Sequence, residues 1–257
     1  MTKDQSLHTT TDQRFQVRLK IRQKQKGYRF STDTVILAHH ICLEHGECAV
    51  DPGTGCGIIP IIVAHHFPSA ILYGIEIQED LAKLALSNVA LNHMEDRVFI
   101  VHGDMKDFTS YFKVGMADVV FSNPPYRKVY SGRISPDAER AIARHEIHAN
   151  LFDVIYAAQK LLKPLGRLVV IYPAQRSVDL IVQMRALKLE PKKLRLIHSK
   201  YDSEAKLILV EARKDGNPGG VSFMPTLIVH NKDGSFTEEV REMMVCNPSI
   251  VGQQAQS

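Results

Sequence analysis

The strand-forming run Val119-Val120-Phe121 leads directly into Ser122-Asn123-Pro124-Pro125-Tyr126, and these residue types suit the activation of a weak amine nucleophile. A purine exocyclic amine has its lone pair delocalised into the ring and carries two N–H donors, so acceptors help it most. The Asn123 side-chain oxygen and the Pro124 carbonyl can each take one of those hydrogens. That draws the nitrogen toward tetrahedral geometry and aims its lone pair at an electrophilic methyl group, with no general base of tuned pKa required beforehand. The paired prolines hold the carbonyl rigidly, because each fixes its own φ and confines the residue before it to extended backbone. Tyr126 can stack on a base flipped out of its helix or loop. Taken alone, Asn-Pro is also a common turn dipeptide that ends a strand.

A second constellation, Asp51-Pro52-Gly53-Thr54-Gly55-Cys56-Gly57, lies between a predicted strand and a predicted helix. Glycines let the backbone turn sharply and approach a ligand, and the helix start offers unpaired N–H groups. Glu76 follows Gly57 by 19 residues and ends the next strand, where a carboxylate can accept from both hydroxyls of a ribose. The spacing G-x-G-x-G differs from the dinucleotide pattern G-x-G-x-x-G and favours S-adenosylmethionine (SAM), which needs no pyrophosphate cradle, over a nicotinamide cofactor. In His102-Gly103-Asp104-Met105, Asp104 can accept from an adenine amine while Met105 packs on its ring; equally, Asp104 can cap the following helix.

Periodicity predicts the elements that position these groups. Strands are expected at about 47–51, 70–76, 98–103, 118–121, 167–172, 193–198 and 206–212, with helices at 57–67, 79–93, 141–162 and 175–188. Alternation of this kind is the signature of an α/β fold with a doubly wound, mostly parallel, seven-stranded sheet. The last two strands need only a short connection and are candidates for an antiparallel pair. Ser31 before Thr32 to Ala38 marks a further helix start. Phe15, Val17, Leu19 and Ile21 alternate with Gln16, Arg18 and Lys20, giving one packable and one basic face.

The chain has 257 residues, 44% hydrophobic and 23% charged, which is globular composition with polar, frayed-looking ends at 1–13 and 252–257. Three parts are expected: a basic N-terminal arm over 1–30, a catalytic domain over 31–215, and an extension over 216–257 packed on the same domain. Residues 14–29 carry seven cations and no acid in a chain of net charge +4, the segregation that an arm held against phosphates needs. The longest apolar run, Ile58 to Ala64, is far shorter than the roughly 20 residues that span a bilayer, and a cytoplasmic protein is expected. Four cysteines without C-x-x-C spacing argue against disulfides or zinc, and the adjacent pairs His39/His40 and His65/His66 diverge on a helix, so no metal site is expected. The number of subunits is left open.

Together these motifs resemble the Asn-Pro-Pro-Tyr amino-methyltransferases, and more closely the bacterial family that N6-methylates the adenine beside the anticodon of a valine tRNA. The resemblance covers roughly residues 19 to 243. It is carried by Gly27-Tyr28-Arg29-Phe30-Ser31-Thr32-Asp33-Thr34, the glycine loop, Gly74-Ile75-Glu76-Ile77-Gln78, Asn123 to Tyr126, Ala143-Arg144-His145-Glu146 and Pro225-Thr226-Leu227-Ile228-Val229. It implies a class I SAM-methyltransferase, Rossmann-like fold acting on tRNA. SAM would be held by Thr32, Asp51, Gly53, Gly55, Gly57, Glu76, Ile77, Asp104 and Met105, and the target base by Asn123, Pro124, Pro125 and Tyr126. RNA phosphates would meet Arg18, Lys20 and Arg22 in the arm and Arg127, Lys128 and Arg133 after the motif. Pro52 departs from the aliphatic residue usual in the family and removes a backbone donor at the start of the loop. The residues leave open a guanine N2 amine of ribosomal RNA or a protein glutamine as acceptor, a non-catalytic RNA-binding protein on the same fold, and a nicotinamide-dependent dehydrogenase.

Overall fold

The computed structural model describes residues 9–12, 19–24, 31–124 and 150–245. Strands β1 (Thr9–Asp12) and β2 (Ile21–Lys24) form an antiparallel ribbon ahead of α1 (Thr32–His40). The alternating body follows as β3 (Cys48–Pro52), α2 (Ile58–His66), β4 (Ile71–Glu76), α3 (Glu79–Leu91) and β5 (Val98–His102). After a 3-10 turn at Met105–Ser110 come β6 (Ala117–Ser122), α4 (Leu151–Leu161), β7 (Leu162–Pro173), α5 (Ser177–Ala186), β8 (Leu189–His198) and β9 (Ala205–Lys214). The C-terminal extension adds β10 (Ser222–Phe223), β11 (Leu227–Ile228) and α6 (Glu238–Val245).

The main sheet runs β10-β8-β9-β7-β6-β3-β4-β5, with β11 also paired to β8. All its pairings are parallel except those of β9 with β7 and β8. A short loop at 199–204 suffices to reverse the chain between β8 and β9, whereas the parallel steps need crossover connections. The predicted seven strands are therefore present, and the extension lengthens the sheet by two short ones.

Burial explains why these segments take these forms. In α2, Ile58 to Ala64 is buried throughout, as expected of a helix pressed on the sheet and covered by α1. By contrast α3 turns Leu81, Ala82, Leu84, Ala85 and Val89 inward and carries an exposed Lys83–Glu79 pair at 2.7 Å outward. Helix α4 starts on a capping box, in which Asn150 and Asp153 accept each other's backbone N–H.

Three expectations need correction. The opening segment is not frayed throughout, because residues 9–12 pair with 21–24. Ser31 holds the N-cap position of α1 but makes no side-chain capping bond. Helix α4 stops at Leu161, ahead of Pro164, and the strand begins at once, so β7 starts five residues before the predicted 167. The part of that predicted helix at 141–149 lies outside the described residues.

The order around β3 decides where a ligand can sit. β3 has β4 on one side and β6 on the other, so successive connections leave the sheet on opposite sides there and a crevice opens beyond the carboxyl ends of β3 and β6. The glycine loop follows β3 and Asn123 follows β6.

Candidate active site

The loop after β3 is built on backbone conformations that favour glycine: φ is +86° at Gly53, +60° at Gly55 and +78° at Gly57. Gly57 is the N-cap of α2, and a methyl group there would lie 3.1 Å from Ala85 Cβ on α3. Gly53 faces Met105, whose Cε would be 3.4 Å from an added Cβ. The Ile75 carbonyl accepts from Gly53 N at 2.8 Å and Thr54 N at 3.0 Å. The missing donor of Pro52 thus leaves this clamp intact, and the Pro52 carbonyl accepts from Ser122 Oγ at 3.1 Å.

Glu76 finishes the enclosure. One carboxylate oxygen accepts from Gly55 N and the other from Gln78 N, both at 2.9 Å. Burial pushes its pKa up, while these backbone donors hold it down in part. Asp51 is 1% exposed, and burial, with the nearby Glu76 charge adding to it, raises its pKa to about 8. Asp104 caps the 3-10 turn by accepting from Lys106 N at 2.9 Å, with Lys106 Nζ 3.5 Å from its other oxygen. Met105 is buried beside Gly53, so the ends of β3, β4 and β5 bring Asp51, Glu76 and Met105 to the glycine loop. Ile77 follows Glu76, and its carbonyl lies 3.2 Å from His102 Nε2.

At the end of β6, Ser122 and Pro124 are buried and Asn123 is half-buried. Asn123 Nδ2 points to Thr34 Oγ1 at 3.5 Å, and its Oδ1 is enclosed with no hydrogen-bond partner among the described residues. Asp51 Oδ2 and Thr54 Oγ1 are enclosed as well, but they face each other, and the Thr54 hydroxyl holds the Asp51 pKa down in part. A buried polar atom left unpaired costs about 1–3 kcal/mol. The Asn123 oxygen beside the glycine loop therefore fits a polar ligand that brings its own donor, as a purine amine would.

Thr34 was not among the predicted site residues; Thr32 was, and it sits half-buried at the first position of α1. Ser122 was also missed. The only signal for either was adjacency to a motif. Pro125, Tyr126, Arg127, Lys128 and Arg133 lie outside the described residues, as does Arg18.

In the arm, Leu19, Ile21 and Gln23 are buried while Lys20 and Arg22 are exposed, in keeping with the alternation. Asn88 of α3 and Asn92, its C-cap, hold it much as a neighbouring strand would. Asn92 bonds Lys20 N and O, both at 2.9 Å, and Asn88 bonds Arg22 N at 2.8 Å and O at 2.9 Å. Asn88 Nδ2 also reaches the Cys56 carbonyl in the glycine loop at 2.9 Å. Arg22 Nη1 is 3.3 Å from Ser87 Oγ.

The adjacent His65 and His66 do not diverge as expected, their ring centroids lying 5.7 Å apart, and His66 also meets His39 of α1 edge to face at 4.8 Å. Among the described residues no group of three or more His, Cys, Asp or Glu is placed to hold a metal, and no helix is long and apolar enough to cross a membrane.

Comparison with known proteins bears on the whole assembly. A family model described as the TRM5/TYW2 methyltransferase domain matches residues 24–150. A tRNA1(Val) (adenine(37)-N6)-methyltransferase from Porphyromonas gingivalis is 36% identical over 74% of this chain and 75% of its own length. One of the same name from Dyadobacter fermentans is 26% identical over 83% of this chain and 87% of its own. Among solved structures, a predicted O-methyltransferase from Agrobacterium tumefaciens superposes with a TM-score of 0.68 at 20% identity, over 83% of this chain and 96% of that one. A geranyl diphosphate C-methyltransferase from Streptomyces coelicolor gives 0.51 at 15% identity, over 70% and 78%. The fold is that of the class I methyltransferases. With its glycine loop and Asn123 on neighbouring strands, and with that degree of identity over three quarters of a relative's length, the chain belongs to the tRNA1(Val) (adenine(37)-N6)-methyltransferase family.

Proposed function

We propose that the protein transfers a methyl group from SAM to N6 of an adenine in tRNA, the adenine at position 37 beside the anticodon of valine tRNA, and that it does so in the cytoplasm. The observation that carries this reading is the enclosed Oδ1 of Asn123, without a hydrogen-bond partner among the described residues and one strand away from the glycine loop.

Bound SAM supplies an electrophilic methyl on sulfur. The chain's own residues do the rest. SAM would be held by Gly53, Gly55 and Gly57, which let the backbone approach it, by Glu76, which would accept from its ribose, by Asp104 and Met105 at its adenine, and by Thr32, Asp51 and Ile77. Asn123 Oδ1 and the Pro124 carbonyl would each accept one hydrogen of the target amine, so that its lone pair faces the methyl; as the N–C bond forms the methyl–sulfur bond breaks, the sulfur leaves as a neutral thioether, and one of the two N–H protons passes to water. Pro125 stiffens that carbonyl, and Tyr126 stacks on the flipped base. Arg18, Lys20 and Arg22 in the arm (1–30) and Arg127, Lys128 and Arg133 after the motif grip tRNA phosphates around the catalytic domain (31–215) and its extension (216–257).

The test is incubation with SAM and unmodified total tRNA, digestion to nucleosides and mass spectrometry. N6-methyladenosine is the expected product, with kcat reduced by roughly 100-fold or more in Asn123→Ala. Methylated guanosine, or product formed only on ribosomal RNA or protein, would overturn the reading.

A further inference from the structure

We propose that Thr34 is a positioning residue for the methyl transfer: its hydroxyl holds the Asn123 amide so that Oδ1, not Nδ2, faces the target amine. This deepens the function proposed above and rests on Asn123 being the acceptor.

An asparagine side chain is two-faced, with a donor and an acceptor of nearly the same size, and only the acceptor face can take a hydrogen from an amine. Something must therefore break the symmetry of the amide. At Asn123 the described partner of Nδ2 is Thr34 Oγ1, 3.5 Å away and 89 residues distant in sequence. The opposite atom, Oδ1, is enclosed and has no partner among the described residues, which suits it to a ligand. The contact is long for a hydrogen bond, as interactions of catalytic groups often are before substrate draws them together.

Thr34 is built to act as a fixed reference. It is 2% exposed, and its backbone N–H is held in the first turn of α1 by the Ser31 carbonyl at 3.1 Å. On a helix a threonine has two favoured χ1 rotamers, and in one of them its hydroxyl gives its hydrogen to a carbonyl one turn back, which leaves the oxygen only as an acceptor for Nδ2. The far end of the helix is anchored away from the crevice: His40 donates from Nδ1 to the Ile36 carbonyl at 2.7 Å and meets Arg195 Nη1 through Nε2 at 2.7 Å. On the other side of Asn123, the Ser122 hydroxyl ties the same strand end to the Pro52 carbonyl. The backbone is thus fixed by Ser122 and the direction of the amide by Thr34.

The experiment compares Thr34→Val, which keeps shape and removes the hydroxyl, with Thr34→Ser, which keeps the hydroxyl, and with Asn123→Ala. Steady-state kcat and KM on the unmodified tRNA are measured for each, with SAM binding by calorimetry. Expected is a fall in kcat of about tenfold or more in Thr34→Val, with KM for tRNA and SAM affinity within about twofold of the parent, and recovery of most of kcat in Thr34→Ser. A parental kcat in Thr34→Val beside a dead Asn123→Ala would overturn the role of Thr34 and leave the function standing. Equal losses in Val and Ser variants with raised KM and weakened SAM binding would make Thr34 merely structural and overturn it too. Full activity in Asn123→Ala would overturn both readings.

Discussion

Gly57 closes the glycine loop at φ +78°, where a side chain is strained whatever the space, and the space is already taken by Ala85. Left-handed backbone costs an L residue roughly 1–2 kcal/mol, and the crowding against α3 adds to it. Gly57→Ala is expected to lose about 2 kcal/mol of stability, or roughly 4–8 °C in Tm, and to weaken SAM binding measured by calorimetry. An unchanged melting curve with unchanged affinity would show that the loop can be rebuilt without glycine. Asp51, two positions before Gly53, works through charge instead. Its folded pKa of about 8 lies above the ordinary 3.8, so its contribution to stability is present in full below 3.8 and is lost as pH rises through about 8.

Two elements carry predictions of their own. The pair His39 on α1 and His66 on α2 is held neutral, chiefly by burial, with pKa values lowered to about 3 and about 4. The unfolded chain takes up these protons near 6.5, so stability from the neutral pair is complete above that pH and is lost as pH falls toward 3. His66→Phe keeps a ring in place and removes one of the protons; its Tm should fall less between pH 6.5 and 4 than that of the parent, and an equally steep fall would remove the pair as the cause. The other element is β2 with the residue before it, where the outward Lys20 and Arg22 can turn to phosphates because Asn88 and Asn92 bind the backbone. Neutralising Arg18, Lys20 and Arg22 together should weaken tRNA binding and flatten its salt dependence, the slope falling by about 0.7–0.9 for each phosphate no longer neutralised. Unchanged affinity in a salt titration would reject the arm as an RNA-binding element.

Across the whole molecule, the extension belongs to the core it covers. Leu227, Val229, Val240 and Met243 are buried in the same cluster as Ile36, Leu37 and Ile62. Arg195, 7% exposed, joins it to the rest through the Pro225 carbonyl at 2.8 Å, Glu239 at 2.6 Å and His40 at 2.7 Å. Four buried apolar side chains are worth roughly 6–12 kcal/mol at about 1.5–3 kcal/mol each, comparable with the entire stability of a domain. A chain ended at Asp215 should therefore lose its cooperative melting transition, as followed by circular dichroism. A truncated protein melting within a few degrees of the parent would make the extension an accessory.

Much of what depends on neighbours along the chain was legible in the residues alone, though not the missing Ser31 capping bond or the early start of β7. The alternation of strand and helix, the glycine loop at 53–57 and the strand ends that carry Glu76 and Asn123 all follow from short-range periodicity and from residue types that permit only certain backbones. The inward Leu19 and Ile21 against the outward Lys20 were legible for the same reason. The pairings across long gaps came from the folded chain and from nothing shorter: Thr34 with Asn123, Ser122 with Pro52, Asn88 with Arg22 and Cys56, and His39 with His66. No local spacing encodes them, because each is made by the packing of helices and strands that close loops of tens of residues, and the free energy of that closure comes from the core as a whole rather than from the residues that meet.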